Sequence, residues 1–147
     1  MKPPAWRRER EIYPVITKLE PRYHDVDGLG HINNIAQAAY FDEARFRFSQ
    51  LVFDRIGQRP RIVTADSRVS YLAEVFYPAQ VEIGTGIVRT GSSSYELGQA
   101  MFQNGDCVAL CMTIFVHAPG GAGQPLPGEM RSILQELLIR VPEGVAG

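Results

Sequence analysis

The chain has 147 residues, 45% of them hydrophobic and 21% charged, with 15 Lys and Arg against 16 Asp and Glu. A single domain of this length hides about two-thirds of its unfolded surface, so neither a disulfide nor a metal is required to hold it together. The near-balanced charge gives no electrostatic basis for a nucleic-acid or anionic-membrane partner.

The first dense basic stretch is Arg7, Arg8 and Arg10, mixed with Glu9 and Glu11 and preceded by Pro3 and Pro4. It reads as a solvated, flexible arm over residues 1–11. No apolar run approaches the roughly eighteen residues of a membrane span, and the charged start is not followed by the apolar core of a signal peptide. A soluble protein of the cytoplasm is the expectation.

An extended run over 12–23 predicts a first strand. The longest helical signal then opens at Asn33-Asn34 and stops at Gly57, with Asn suited to the N-cap and Gly to the C-terminal turn. At 100° per residue, Tyr40, Phe41, Ala44, Phe48, Leu51, Val52 and Ile56 share one broad apolar face. Phe46 and Phe53 add a second strip, leaving Glu43, Arg47, Gln50 and Asp54 as the polar stripe. A helix apolar around most of its girth is expected to be enclosed on several sides.

After Pro60 the composition becomes β-branched and aromatic, predicting strands over 62–76, 80–90, 94–103 and 107–117. Tyr77-Pro78-Ala79, Gly91-Ser92-Ser93 and Asn104-Gly105 separate them, and the last is a strong hairpin signal. A consecutive antiparallel meander of four strands is the economical topology. Cys107 and Cys111 fall in the last strand, about 13 Å apart if extended, which is too far for a disulfide; buried reduced thiols are expected. Residues 118–128 are too rich in Gly and Pro for regular structure. Met130, Ile133, Leu134, Leu137 and Leu138 then recur at helical spacing, predicting a short C-terminal helix. The division is an arm over 1–11, a core domain over 12–117, and a loop with a short helix over 118–147.

The chemistry-bearing segment is Arg22-Tyr-His-Asp-Val-Asp-Gly-Leu-Gly-His-Ile-Asn-Asn34, which sets two carboxylates, two imidazoles and two glycines in a loop ending at a helix N-terminus. Unpaired amides there, with the positive end of the helix dipole, suit a developing oxyanion. A carboxylate beside such amides is what attack on an activated carbonyl needs. Asp27 is therefore the candidate base or nucleophile and the amide near Asn34 the candidate donor. Against this stands the common use of Asp-Gly as a turn in which the side chain bonds its own backbone. Asp25 reads as structural, capping the loop or pairing with Arg22. His24, Asp25, Asp27 and His31 match no familiar metal-ligand spacing, so no metal site is assigned. Gly91-Ser-Ser-Ser-Tyr95 is not a nucleophile elbow, and Gly84-Thr-Gly86 lies inside a strand rather than opening a helix.

Asp25-x-Asp27-x-x-Gly30-His31-x-Asn33-Asn34, followed by Tyr40-Phe41-Asp42-Glu43-Ala44-Arg45, resembles the hotdog-fold acyl-CoA thioesterases of the 4-hydroxybenzoyl-CoA thioesterase family. The order of elements agrees over about residues 14–117, whereas the specific motif is confined to residues 22–45. The resemblance implies an α+β hotdog fold, with a five-stranded antiparallel sheet wrapped around one long helix. It also implies a homodimer or dimer of dimers with the active site at the subunit interface.

The resemblance places the catalytic carboxylate on Asp27 and the oxyanion amide on Asn34, with His31 ordering the loop or bonding near the carbonyl. Thr64, Arg89, Ser92, Ser93 and Ser94 are the implied substrate contacts, the substrate is an acyl-CoA or acyl-carrier thioester, and no cofactor is implied. Gln37 replaces an aromatic usual at that point of the helix, implying a wider or more polar acyl pocket. The turn Gly91-Ser92-Ser93-Ser94 lacks the cations that some members direct at coenzyme A phosphates, with Arg89 the nearest. A hotdog hydratase or dehydratase fits less well, since its Asp-x-Asn-Pro-x-His pattern sets Asp and His five apart with a Pro absent here. A non-catalytic acyl-CoA sensor would be expected to carry a partner domain for which 147 residues leave no room.

Overall fold

A computed structural model describes residues 3–145. Strand β1 is Val15–Leu19, followed by helix α1 (Asn34–Ile56), strands β2 (Ile62–Tyr71), β3 (Val81–Thr90), β4 (Ser94–Gln103) and β5 (Asp106–His117), and helix α2 (Gly128–Glu136). The strands form one antiparallel sheet in the order β1-β3-β4-β5-β2. Its concave face holds α1. This is the hotdog arrangement anticipated from the motif.

Local chemistry accounts for the element ends. The Asn33 side-chain oxygen accepts the Ala36 amide at 2.7 Å, and Gly57 closes the helix at φ 69°. Asn104 and Gly105 both have positive φ and link β4 to β5 in the tight hairpin their sequence predicts. β1 is shorter than the expected 12–23 because Pro14 and Pro21 flank it, and proline cannot donate to a sheet ladder.

The four-stranded meander is not formed. Only β3, β4 and β5 are consecutive neighbours, while β2 pairs with the far edge of β5. The connection over residues 72–80 is longer than a hairpin loop and carries the chain across the end of the sheet. β2 accordingly ends at Tyr71, with the Leu72 and Ala73 amides both directed at the Val108 carbonyl. The β3 edge that a meander would give to β2 is taken by β1. Beyond β1, the chain after α2 extends that edge through a parallel bridge between Ile87 and Leu138, which is why α2 stops at Glu136.

Phe41 and Phe48 anchor α1 to the sheet and are fully buried, each stabilising the fold by about 2–3 kcal/mol. Met130, Ile133 and Leu134 of α2 close the end of the core near Phe48 and Val52. α1 is not enclosed within one chain. Ile35 and Phe46 are 78% and 61% exposed and Leu51 is also exposed, because the one sheet covers only one face of the helix. Arg45, by contrast, is buried. Its guanidinium donates to Gln99 Oε1 at 3.1 Å and to Asp42 at 3.3 Å, and Gln99 in turn donates to the Phe41 carbonyl and Thr85.

Residues 3–11 do not project into solvent as an arm. Residues 5–12 form two short 3-10 turns on the convex face of the sheet, where Ile12 and Tyr13 pack with Phe102, Leu110 and Ile139. Gly84, Gly86 and Gly98 make this possible: a Cβ on Gly84 would lie 2.6 Å from the Tyr13 ring, and one on Gly98 would lie 2.8 Å from Ile139. Cys107 and Cys111 are both unpaired, the first half-buried and the second buried. A bulge opposite Met101 and Phe102 turns them to opposite faces of the sheet, so they share no environment.

Candidate active site

The loop between β1 and α1 is fastened to the helix by Asn33. Its main-chain and side-chain nitrogens both donate to the Asp25 carbonyl at 2.9 Å, while its side-chain oxygen caps the helix. The Asp25 carboxylate is buried, accepts the Tyr40 hydroxyl at 2.5 Å and lies 3.5 Å from Arg22. The tyrosine hydrogen bond, reinforced by Arg22, holds the Asp25 pKa below the usual carboxylate range. Burial, with the carboxylate beside it, raises the Tyr40 phenol well above its ordinary value. Asp25 is thus the structural residue its sequence context suggested.

Asp27 is exposed at the turn of this loop. Its Oδ1 accepts the amides of Leu29 at 2.9 Å and His31 at 3.2 Å, and its own amide donates to the His31 carbonyl. The turn role leaves one oxygen of this side chain free: Oδ1 is fixed by the loop, and Oδ2 takes no hydrogen bond among the described residues. Gly30 supplies the φ of +84° that the turn needs, whereas Gly28 needs no special conformation.

Asp27, His31 and Asn34 line one open depression of about 380 Å³, together with Gln37, Tyr71 and Glu74. At its helical end the main-chain amide of Asn34 has no acceptor among the described residues, nor has that of Ile35 next to it in the first turn, since the cap takes Ala36 and Asn33 takes Gln37. The site thus sets a carboxylate and a residue with an unpaired amide at the positive end of α1 around the same space. Tyr71 donates to the Asn34 carbonyl at 3.0 Å, tying β2 to the helix start. Gln37 is buried and donates to the Ile32 carbonyl, leaving its Oε1 unpartnered.

Tyr71 and Glu74 escape sequence reasoning because the predicted strand ran on to residue 76. A charge between Ala73 and Val75 is the one signal that the strand had already ended. The adjoining depression of about 420 Å³, on the Asp25 and Tyr40 side of the loop, is lined by Lys18, Arg22 and Arg47, cations that the sequence reading did not connect with the site.

The remaining candidates lie elsewhere in the chain. Thr64, at the opening of β2, lines a separate pocket of about 240 Å³ with Arg45, Phe46, Ser49 and Phe115. Ser92, Ser93 and Ser94 are at the opposite end of the sheet from Asn34, a full strand or about 30 Å away. Arg131 and the Leu126 amide hold that turn through the carbonyls of Gly91 and Ser92. Arg89 is exposed at 4.0 Å from Glu96. One chain does not bring these five residues to Asp27. Among the described residues, no three His, Cys, Asp or Glu side chains are grouped to hold a metal ion, and no helix is long and apolar enough to cross a membrane.

This architecture and site define a hotdog-fold protein with a thioesterase-type loop at the head of its central helix. The family model described as the thioesterase-like superfamily matches residues 21–134, and the chain belongs to that superfamily, whose reaction is thioester hydrolysis. The fold is similar to a Pseudomonas aeruginosa protein at 27% identity and TM-score 0.78, covering 90% of this chain and 97% of that one. It is also similar to a predicted thioesterase of Bacillus stearothermophilus at 27% identity and TM-score 0.78, covering 86% and 98% of the two chains. A thioesterase of Thermus thermophilus, complexed with coenzyme A and zinc, is 30% identical with TM-score 0.77, covering 86% and 96%. No curated protein matches the chain.

Proposed function

We propose that the protein hydrolyses an acyl-CoA thioester in the manner of the 4-hydroxybenzoyl-CoA thioesterase family, acting in the cytoplasm as a homodimer or dimer of dimers. The observation that carries this reading is that Asp27, with one free carboxylate oxygen, and Asn34, with an unpaired amide, line one depression. Asp27 attacks the thioester carbonyl or takes a proton from the attacking water, and the amides receive the oxygen as charge develops on it. The thiol leaves as a thiolate, so protonation of the leaving group is less demanding than in amide hydrolysis.

The dimer is supported by the exposed Ile35, Phe46 and Leu51 on the helix face that the sheet leaves open, and by the free edge of β2. Thr64, Arg89, Ser92, Ser93 and Ser94 belong to the site in this reading only as contributions from a second copy. An acyl-CoA substrate is supported by the similar Thermus thermophilus thioesterase, which was obtained with coenzyme A. A thiol-release assay across short, medium, long and aromatic acyl-CoAs, run beside matched acyl-carrier substrates, tests the proposal. Turnover of an acyl-CoA is the expected result. Tight acyl-CoA binding without thiol release from any substrate would replace it with a binding role.

A further inference from the structure

His31 bonds Asp27 through its main chain, while its side chain turns to another partner. Its Nε2 lies 3.2 Å from Glu74 Oε2, and its ring stands edge-on to Phe76 with centroids 5.2 Å apart. Glu74 and Phe76 belong to the 72–80 connection, which has firm anchors of its own. The Val75 carbonyl accepts the Ile32 amide at 2.8 Å, and Gln103 bonds Phe76 through both its main-chain groups. The imidazole is thus gripped by a fixed segment.

We infer that Glu74 is a positioning residue of this site: its carboxylate accepts a hydrogen bond from the Nε2–H of His31, leaving Nδ1 as the ring's acceptor and clamping the loop that carries Asp27. The tautomer follows from the donor inventory. A carboxylate only accepts, so neutral His31 must carry its proton on the nitrogen facing Glu74. The mechanical effect follows from the main chain, because the His31 amide is one of the two donors fixing Asp27 Oδ1. Freeing the ring loosens one of the two bonds that aim the carboxylate at the substrate. Glu74 itself also lines the depression, so it acts at the wall of the site.

This inference rests on the proposed hydrolysis only for its kinetic part. Nitrogen-15 NMR of histidine-labelled protein reads the tautomer with no substrate present. The native protein is expected to show His31 as the Nε2–H form. Glu74→Gln, which retains an accepting oxygen, is expected to keep that form, and Glu74→Ala is expected to lose it to a mixture. In the thiol-release assay Glu74→Ala should lower kcat by about tenfold or more with KM within twofold of native, the scale of a misaimed reacting group. Glu74→Gln should stay within threefold of native.

An Nδ1–H spectrum in the native protein, or an unchanged tautomer in Glu74→Ala, would overturn the assignment. So would a kcat for Glu74→Ala equal to native. An absence of thiol release by the native protein would refute the hydrolysis instead, and would leave the NMR result to decide the positioning claim.

Discussion

Replacing Tyr40 with Phe removes one hydroxyl and keeps the ring, so it isolates the bond that fastens the functional loop to α1. The hydroxyl donates to Asp25 at 2.5 Å, and Arg22 at 3.5 Å is the other cationic or hydrogen-bonding support for that carboxylate. A hydrogen bond to a charged group contributes about 1.5–3 kcal/mol, and the low end applies because Arg22 remains. A loss of about 1.5 kcal/mol lowers Tm by about 3–6 °C for a chain of this size.

The loss should also depend on pH. The folded-state pKa of Asp25 is depressed, chiefly by this hydrogen bond. Its contribution is therefore fully present above the unfolded carboxylate value of about 3.9 and fades as pH falls through the lower folded value. Thermal unfolding of the native protein and Tyr40→Phe is expected to show the full gap at pH 7. The gap should shrink in acid toward about 0.5 kcal/mol, the low end for a neutral hydrogen bond. A gap that is unchanged or larger in acid would refute the assignment of Asp25 as the charged acceptor.

Gly84→Val should cost about 1–3 kcal/mol and lift residues 5–13 off the convex face, since its Cβ would sit 2.6 Å from the Tyr13 ring. The only tryptophan, Trp6, lies in that segment, and a red-shifted emission with a lowered urea midpoint is the expected reading. Phe48→Ala should destabilise by about 3–5 kcal/mol in denaturant unfolding, as a fully buried aromatic beneath α2. Phe46→Glu places a charge on the exposed apolar side of α1 and is expected to sediment as a monomer, with the native protein expected to sediment as a dimer or tetramer. Native protein sedimenting as a monomer would remove the second copy from the account.

Much of this architecture is legible in local chemistry. Asn33 and Gly57 mark both ends of α1, and Asn104-Gly105 marks a hairpin, because each needs a conformation or a bond that few other residues supply. The sheet order is not legible in this way. Nothing local to Ile62–Tyr71 says whether it pairs with β3 or β5, and the choice is made by β1 and the chain after α2 occupying the β3 edge. The arm misleads for a related reason. Arg7, Arg8 and Arg10 read as solvated, yet Arg7 is buried over Trp6 and beside Met112, on a floor made flat by glycines distant in sequence.

At the site, Asp27, His31 and Asn34 are legible because a loop of a dozen residues holds them, and the loop's own hydrogen bonds gather them. Glu74 and Tyr71 reach the same depression from across the sheet, through a crossover that periodicity does not reveal. Thr64 and the serine turn show the opposite limit. Their chemistry suits a carrier phosphate or an acyl group, but their position in one chain is far from Asp27.

The most direct test of the central claim is a single-turnover measurement of thiol release by native protein and Asp27→Asn, using the best acyl-CoA of the panel. Asparagine keeps a side-chain oxygen for the Leu29 and His31 amides, so the loop should stand while the base or nucleophile is lost. A fall of about a hundredfold or more, with substrate binding retained, is the expected outcome. Full hydrolytic rate in Asp27→Asn would contradict the account and return Asp27 to the role of a turn residue.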